Sequence, residues 1–475
     1  TNAVAISTEA PDLAPWAVEA LDRTGGDSPA PEAMAPFLRV PATEGSDGPP
    51  FHWARIDAAV KPELSKGKRR VLVIAGSPNT IGQSREQDLS AAQTIGALKS
   101  AGYEVLVLAS DPLSALVHSD GEIDVCLGPA TAATVSAIHS RWPLDGVMPQ
   151  CAPGAFRALA DAVTAAGIAV LGTTSRALTL LASPMALHER LTDLGIPHPH
   201  CALASDTESA LKQAEAIGYP LLLRPLTPSG GEAPLAGGQT ALIMNSEMLT
   251  AKLQTAAFAD TSCLMEEFIE FAIEVTADAI CDGVEALVPQ AVEHIELAGV
   301  HPGDSAWVIP PYSTPLRHVD TISEYLHKIA TEFELKGFLS GRFAFFNDTV
   351  YLLSVDLSFS RTAAMVSDAC ELPIFAAATR AMLGESLEEI QLSVKRQSGF
   401  SVREAIFPVS TEAKLASRLG PVMQSTGEVI GRADSFGMAY YKAQEAAGDR
   451  LPTTGSVLIT VTDADKPSII EPARL

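Results

Sequence analysis

No run in the 475-residue chain holds the roughly 18 consecutive apolar residues of a membrane-spanning helix, so no membrane insertion is expected. Positive charge is scarce: 33 Lys and Arg stand against 57 Asp and Glu, a formal net charge of -24. A field of that sign repels nucleic acid and anionic lipid, which removes both from the expected partners. It also repels anionic small molecules, so a phosphate-binding cleft would need cations of its own. Cysteine pairs are missing as well. Cys126, Cys151, Cys201, Cys263, Cys281 and Cys370 are scattered singly with no C-x-x-C, which excludes a disulfide framework and a clustered zinc site. They read as buried thiols in a reducing compartment, cytoplasm or mitochondrial matrix. The opening residues, TNAVAISTEAPDLAPW, have neither a basic n-region nor an apolar h-region, so they are not a signal peptide, and their acidity argues against an intact transit peptide.

Apolar material is plentiful. Hydrophobic residues make up 47% of the chain and charged residues only 19%, enough for two or three packed domains, because one core rarely exceeds about 250–300 residues. Residues 1–50 differ from the rest, with eight prolines and eight acidic residues against two basic ones. That composition buries little surface and predicts an acidic, Pro-rich N-terminal arm over 1–67. From Arg70 the texture changes. RVLVIAG, YEVLVLAS, IDVCLG, GVMPQ and IAVLGT are apolar runs separated by helix-length stretches, among them one from about Arg85 to Ala101. Continuous apolar strands alternating with helices predict a parallel sheet covered on both faces, a doubly wound domain over 68–180.

A second α/β unit follows over 181–410. DTESALKQAEAIG predicts a helix closed by Gly218, and YPLLLRP a strand leading into the glycine-rich PSGGEAPLAGG. CLMEEFI, AIEVTADAICDG and EALVPQAVEHIE alternate as antiparallel strands do. Residues 320–336 are expected to be helical, and RFAFFNDTVYLLSV a hairpin turning at Asn347-Asp348. The remainder, 411–475, is expected to end in a strand, GSVLITVTD.

Five segments in this order resemble one family. GSPNTIGQS is similar to the Gly-Gly-Gly-Pro-Asn-Arg-Ile-Gly-Gln-Gly turn that opens each half of the carbamoyl-phosphate synthetase large chain. AIGYPLLLRP resembles the strand before an ATP-grasp lid loop. AIEVTADAICDG, EHIELAGVHPGDSA and STGEVIG resemble consecutive segments of the C-terminal, carbamate-phosphorylating half, with agreement in order and spacing from Arg70 to Val461. The resemblance implies a pre-ATP-grasp domain followed by an ATP-grasp domain of two α+β lobes, with the family's allosteric domain expected to be absent. WARIDAAVKP faintly resembles the end of the oligomerisation region. ATP is the implied ligand, and other protein subunits or a second copy of the chain are the implied partners.

By the same resemblance, nucleotide contacts fall on Arg224, Glu267, Ile269, Glu274, Gly299, Val300, His301 and Arg361. Glu274 matches a ribose-contacting Glu; Glu267 and Ile269 lie on the adenine side; Gly299, Val300 and His301 form a loop over the nucleotide. The metal positions are altered. Arg342 stands where the family has a Gln ligand, Ser354 at the Glu and Asp356 at the Asn, so Asp356 alone offers a charged oxygen. A guanidinium donates and cannot ligate a metal, and magnesium asks for hard oxygens. Magnesium is therefore not expected to bind as it does in the family, and no catalytic residue is singled out. Phosphate-gripping positions change too: Glu232 and Asp368 replace cations, Pro184 replaces an Arg, and Thr80 replaces an Arg beside the surviving Asn79, Gly82 and Gln83. By themselves, Glu232 and Asp368 would read as solvated surface.

Three readings stay open: a degenerate homologue serving as a structural or regulatory subunit, an active ATP-dependent carbamate-phosphorylating half, and a metal-independent nucleotide binder in which Arg342 supplies the missing charge.

Overall fold

The computed structural model describes residues 67–474 except 76–83, 112–113, 117–122, 129, 152, 227–239, 256–257, 259–260, 396–397, 408–418, 421–422, 449–453, 462 and 464. The acidic arm, the first turn with Asn79, Thr80, Gly82 and Gln83, and the glycine-rich loop with Glu232 lie outside the described residues.

The first unit is a parallel sheet of β1 (Arg70–Ala75), β2 (Glu104–Ala109), β3 (Asp124–Leu127) and β4 (Gly146–Met148), in the order β3-β2-β1-β4. Growth from β1 to one side and then the other is the doubly wound pattern. The cause is in β1 itself. Val71, Val73 and Ala75 pack with Ile95 and Leu98 of the helix Ser84–Ser100 on one face, and Leu72 and Ile74 pack with Val135 and Ile138 on the other. A strand buried on both faces has to be apolar throughout. The expected fifth strand, IAVLGT, is reduced to a single parallel bridge between Val147 and Val170.

A small antiparallel sheet comes next: β5 (Cys201–Ala204), β6 (Leu221–Pro225), β7 (Ala241–Ile243) and β8 (Cys263–Glu267), ordered β5-β8-β6-β7. Its helix Thr207–Ile217 starts from a capping box made by Asp206 and Ser209 and closes at Gly218.

The largest sheet has eight strands: β9 (Ile273–Asp282), β10 (Ala286–Leu287), β11 (Ala291–His294), β12 (Trp307–Ile309), β13 (Lys336–Phe346), β14 (Thr349–Asp356), β15 (Phe400–Ile406) and β16 (Gly427–Ala433). The order is β14-β13-β9-β11-β12-β15-β16, with β10 beside β9. The hairpin turns at Asn347 and Asp348, both at positive φ (46° and 65°) as a type I′ turn demands. Val275, Ala277, Ala279 and Cys281 of β9 pack on Ile322, Leu326 and Ile329 of the helix Leu316–Glu332. That helix starts and ends four residues earlier than expected, because Lys336 already belongs to β13. The helix Ile374–Met382 joins the units, its residues sharing one core with Val71 and Val73 of β1, Ile280 of β9 and Phe338 of β13.

The C-terminal strand is not formed. Residues 456–461 pair with nothing among the described residues, Val457 and Leu458 are 75% and 89% exposed, and a helix Lys466–Arg474 follows. β-branched composition favours a strand only where a ladder partner and a buried face exist.

Candidate functional site

A cavity of about 510 Å³ opens between the small sheet and the large one. Its walls follow from the period of two along each strand. On β9 the odd positions Val275, Ala277 and Ala279 face the helix layer, so Glu274, Thr276 and Asp278 fall on the opposite face. In register, Ala344 of β13 lies opposite Glu274, Arg342 opposite Thr276 and Ser340 opposite Asp278. On β14, Ser354 pairs with Arg342 and Asp356 with Ser340. The register shifts between Arg342 and Phe343, where Leu353 of β14 is the extra residue; such irregularities re-aim a side chain.

Arg224, Glu267, Ile269, Glu274, Gly299, Val300 and His301 all line the cavity, and so do Arg342, Ser354 and Asp356. Pro184 lines it too, as the first residue of the helix Pro184–Asp193. Arg361 is placed differently. It is not among the lining residues and lies behind the loop, where a Cβ on Gly303 would stand 3.1 Å from its Nη1. Asp368 is remote, paired with Arg432 on β16.

Charge inside the cavity is strongly compensated. Arg224 meets Glu266 at 3.0 Å (Nη2 to Oε2), a partner that the sequence reading missed. Glu274 is 6% exposed, and burial raises its pKa while Arg342 and the Gly299 N–H hold it down. Among the described residues its Oε2 accepts no hydrogen bond, and neither does the buried Nε of Arg342 donate one. Such groups are costly inside a protein unless a ligand completes them. Asp356 Oδ1 accepts from the N–H and Oγ of Ser358 at 2.9 and 2.7 Å.

Two histidines sit beside these charges and stay neutral. His294 Nε2 is 2.9 Å from Thr276 Oγ1, and burial together with Arg342 pushes its pKa down to about 3. His301 is lowered to about 4 by burial and Arg342, and its Nδ1 accepts from the Gly303 N–H at 3.0 Å. The loop carrying His301 is braced at its base. Glu296 accepts from Ser305 Oγ and Ala306 N at 2.6 and 2.7 Å, and Asp304 accepts from the N–H groups of Gln424 and Ser425. Gly299 turns the loop at φ 112°, against the ring of Phe268.

One thiol departs from the expected burial. Cys201 is half-buried, not buried like the other five, and its Sγ is 2.8 Å from Nδ1 of His188, a cavity-lining residue. Burial raises the thiol to about 11 and lowers His188 to about 4, so the pair is a neutral hydrogen bond and not an activated nucleophile.

Arg342 stands between Thr276 and Ser354, and the one carboxylate on β14 is engaged by its own turn. No helix among the described residues is long and apolar enough to cross a membrane.

Comparisons with known proteins agree with this architecture. Residues 67–180 match the carbamoyl phosphate synthase preATP-grasp domain, and residues 186–390 match the carbamoyl-phosphate synthase L chain ATP binding domain. The C-terminal section of the carbamoyl phosphate synthase large chain of Aquifex aeolicus is 33% identical over 425 residues, 86% of this chain and 78% of that protein. The large chain of Haemophilus ducreyi is 34% identical over 410 residues, 86% of this chain but only 38% of that protein. Among solved structures, the biotin carboxylase domain dimer of Hydrogenobacter thermophilus 2-oxoglutarate carboxylase, complexed with MgADP, ADP and bicarbonate, superposes with a TM-score of 0.60. It is 16% identical, over 79% of this chain and 89% of that one, and establishes the fold: a doubly wound pre-ATP-grasp sheet followed by the two α+β lobes of an ATP-grasp domain. The chain belongs to the carbamoyl phosphate synthase large-chain family, matching its C-terminal section and carrying the family's ATP-binding domain.

Proposed function

We propose that this protein binds an adenine nucleotide between its two lobes without magnesium and does not transfer the γ-phosphoryl group. It then serves as a structural or regulatory subunit of a larger assembly. One observation carries the reading: Arg342, a fixed cation, lines the cavity beside Glu274, with Ser354 as its partner on β14. Phosphoryl transfer in ATP-dependent enzymes relies on metal ions to bridge the phosphates and neutralise developing charge. A guanidinium neutralises charge and donates hydrogen bonds to phosphate oxygens, but it leaves no coordination site for a metal that would align the transfer. Glu274 and Glu267 would hold the nucleoside, the Gly299–His301 loop would close over the nucleotide with His301 toward its phosphates, and Arg342 with Arg224 would pair with the phosphates.

The active reading, ATP-dependent phosphorylation of carbamate, is favoured by 33% identity over 425 residues to a C-terminal section of the synthase large chain. Calorimetric titration with ATP and ADP, with and without magnesium, separates the two. Binding indifferent to magnesium supports the proposal. Magnesium-dependent turnover restores the enzyme, and no binding in either condition leaves a scaffold. A double variant, Arg342→Gln with Ser354→Glu, is expected to make nucleotide affinity magnesium-dependent.

A further inference from the structure

Outside the cavity, β9 carries two more carboxylates, Asp278 and Asp282, and Asp278 is the buried one. Asp278 is 1% exposed and does not line the cavity. Its Oδ1 and Oδ2 lie 3.0 and 2.9 Å from Ser360 Oγ, and Oδ2 accepts from Thr362 Oγ1 at 2.6 Å. Ser340, its cross-strand neighbour on β13, donates as well. Ser360 also caps the helix Arg361–Ala369, accepting from the Ala363 N–H at 3.2 Å. Both chain neighbours of Arg361 are thus fastened to a single carboxylate.

That arrangement is expensive for mere packing. Burial raises the pKa of Asp278, and the Thr362, Ser340 and Ser360 hydroxyls push back against it. Hydrophobic residues of similar volume often replace buried charge at no cost in stability. What the carboxylate holds is Arg361, whose Nη1 lies so near Gly303 that a Cβ there would come within 3.1 Å of it and 3.2 Å of His301 Nδ1. His301 in turn lines the cavity. A path of hydrogen bonds and chain bonds therefore runs from Asp278 through Ser360 and Thr362 to Arg361, whose guanidinium lies beside Gly303 of the His301 loop.

Building on the nucleotide reading above, we infer that Asp278 is a positioning residue. It holds Arg361, and through it the His301 loop, where the phosphates of the nucleotide are received, without touching the ligand itself.

The test compares ATP with adenosine, which lacks the phosphates. In Asp278→Ala, ATP binding is expected to weaken about tenfold, the worth of one charge-assisted contact, while adenosine binding changes less than about twofold. Asp278→Asn, which still accepts and donates at the same place, is expected to recover most of the ATP affinity. The double variant Asp278→Ala/Arg361→Ala is expected to bind ATP no worse than Arg361→Ala alone. Equal losses for ATP and adenosine, or additive losses in the double variant, would overturn the inference and leave Asp278 a packing residue. If Arg361→Ala weakens ATP and Asp278→Ala does not, only this inference fails; if the wild type binds no ATP, both readings fall. Should Asp278→Ala not fold, Thr362→Val removes one bridge and asks the same question with a smaller expected loss.

Discussion

Strands β1 and β9 are both central to their sheets and both deeply buried, yet they are built differently. In β1 Val71, Val73 and Ala75 meet one helix layer and Leu72 and Ile74 the other, so neither face has room for chemistry. In β9 one face is equally apolar, whereas the other runs Glu274, Thr276, Asp278 and then Ile280, which returns to the core. The three polar residues act separately, since Glu274 faces the cavity, Thr276 engages His294 and Asp278 holds the Ser360 turn. Folding energy comes from strands of the first kind. A binding site needs the second kind, where buried polar groups are kept at a cost that neighbours and ligand must offset.

The contrast predicts that β1 variants change stability and leave ligand affinity alone, while variants on the polar face do the reverse. The largest effect is expected for Leu72→Ala, which empties space in a fully buried position and should cost about 2–5 kcal/mol in denaturant unfolding. Its nucleotide affinity should match the wild type; a changed affinity would break the division between the two strands.

The second effect tests a buried carboxylate on the same sheet. Burial, and then Glu296, raise Glu404 of β15 from its usual 4.5 to about 7, although Gln444 donates to it at 2.8 Å. Between those values the unfolded chain releases a proton that the folded protein keeps, so folding stability falls as pH rises from about 4.5 to about 7 and then levels off. The span is about 2 kcal/mol, allowing for partial solvent screening. The three depressed histidines oppose this trend, because His188, His294 and His301 lose stability as pH falls below 6.5. Subtracting the profile of Glu404→Gln isolates the carboxylate; identical profiles for variant and wild type would count against its being buried and protonated.

The smallest effect lies at the cavity. Arg342→Gln should weaken ATP roughly tenfold in the absence of magnesium, about 1.4 kcal/mol, with little change in unfolding. Stronger binding in the variant would mean that Arg342 obstructs the phosphates.

Composition and order of residues were enough for β1 and β2, because a strand buried on both faces reads as an uninterrupted apolar run: RVLVIA and EVLVLA appear with nothing added. The turn at Asn347-Asp348 and the helix closed by Gly218 were legible for similarly local reasons, positive φ at the first and a chain stop at the second. GSVLITVTD failed by the same rule reversed: local preference was present and, among the described residues, a partner edge was not.

At the site, residue types were legible but relations between them were not. Arg224 was visible as a cation, but only the β6–β8 pairing brings Glu266 to 3.0 Å from it. Arg361 was visible as a preserved arginine, but only packing sets it behind Gly303, outside the cavity wall. Asp278 went unremarked because its partners Ser360 and Thr362 lie more than 80 positions away. Chain order determined which strands and helices form and which charges are available, since backbone preference and apolar period act over a few neighbours. Strand register decided which of those charges neutralise one another, because Coulomb and hydrogen-bond energies depend on distances that the sequence alone does not contain.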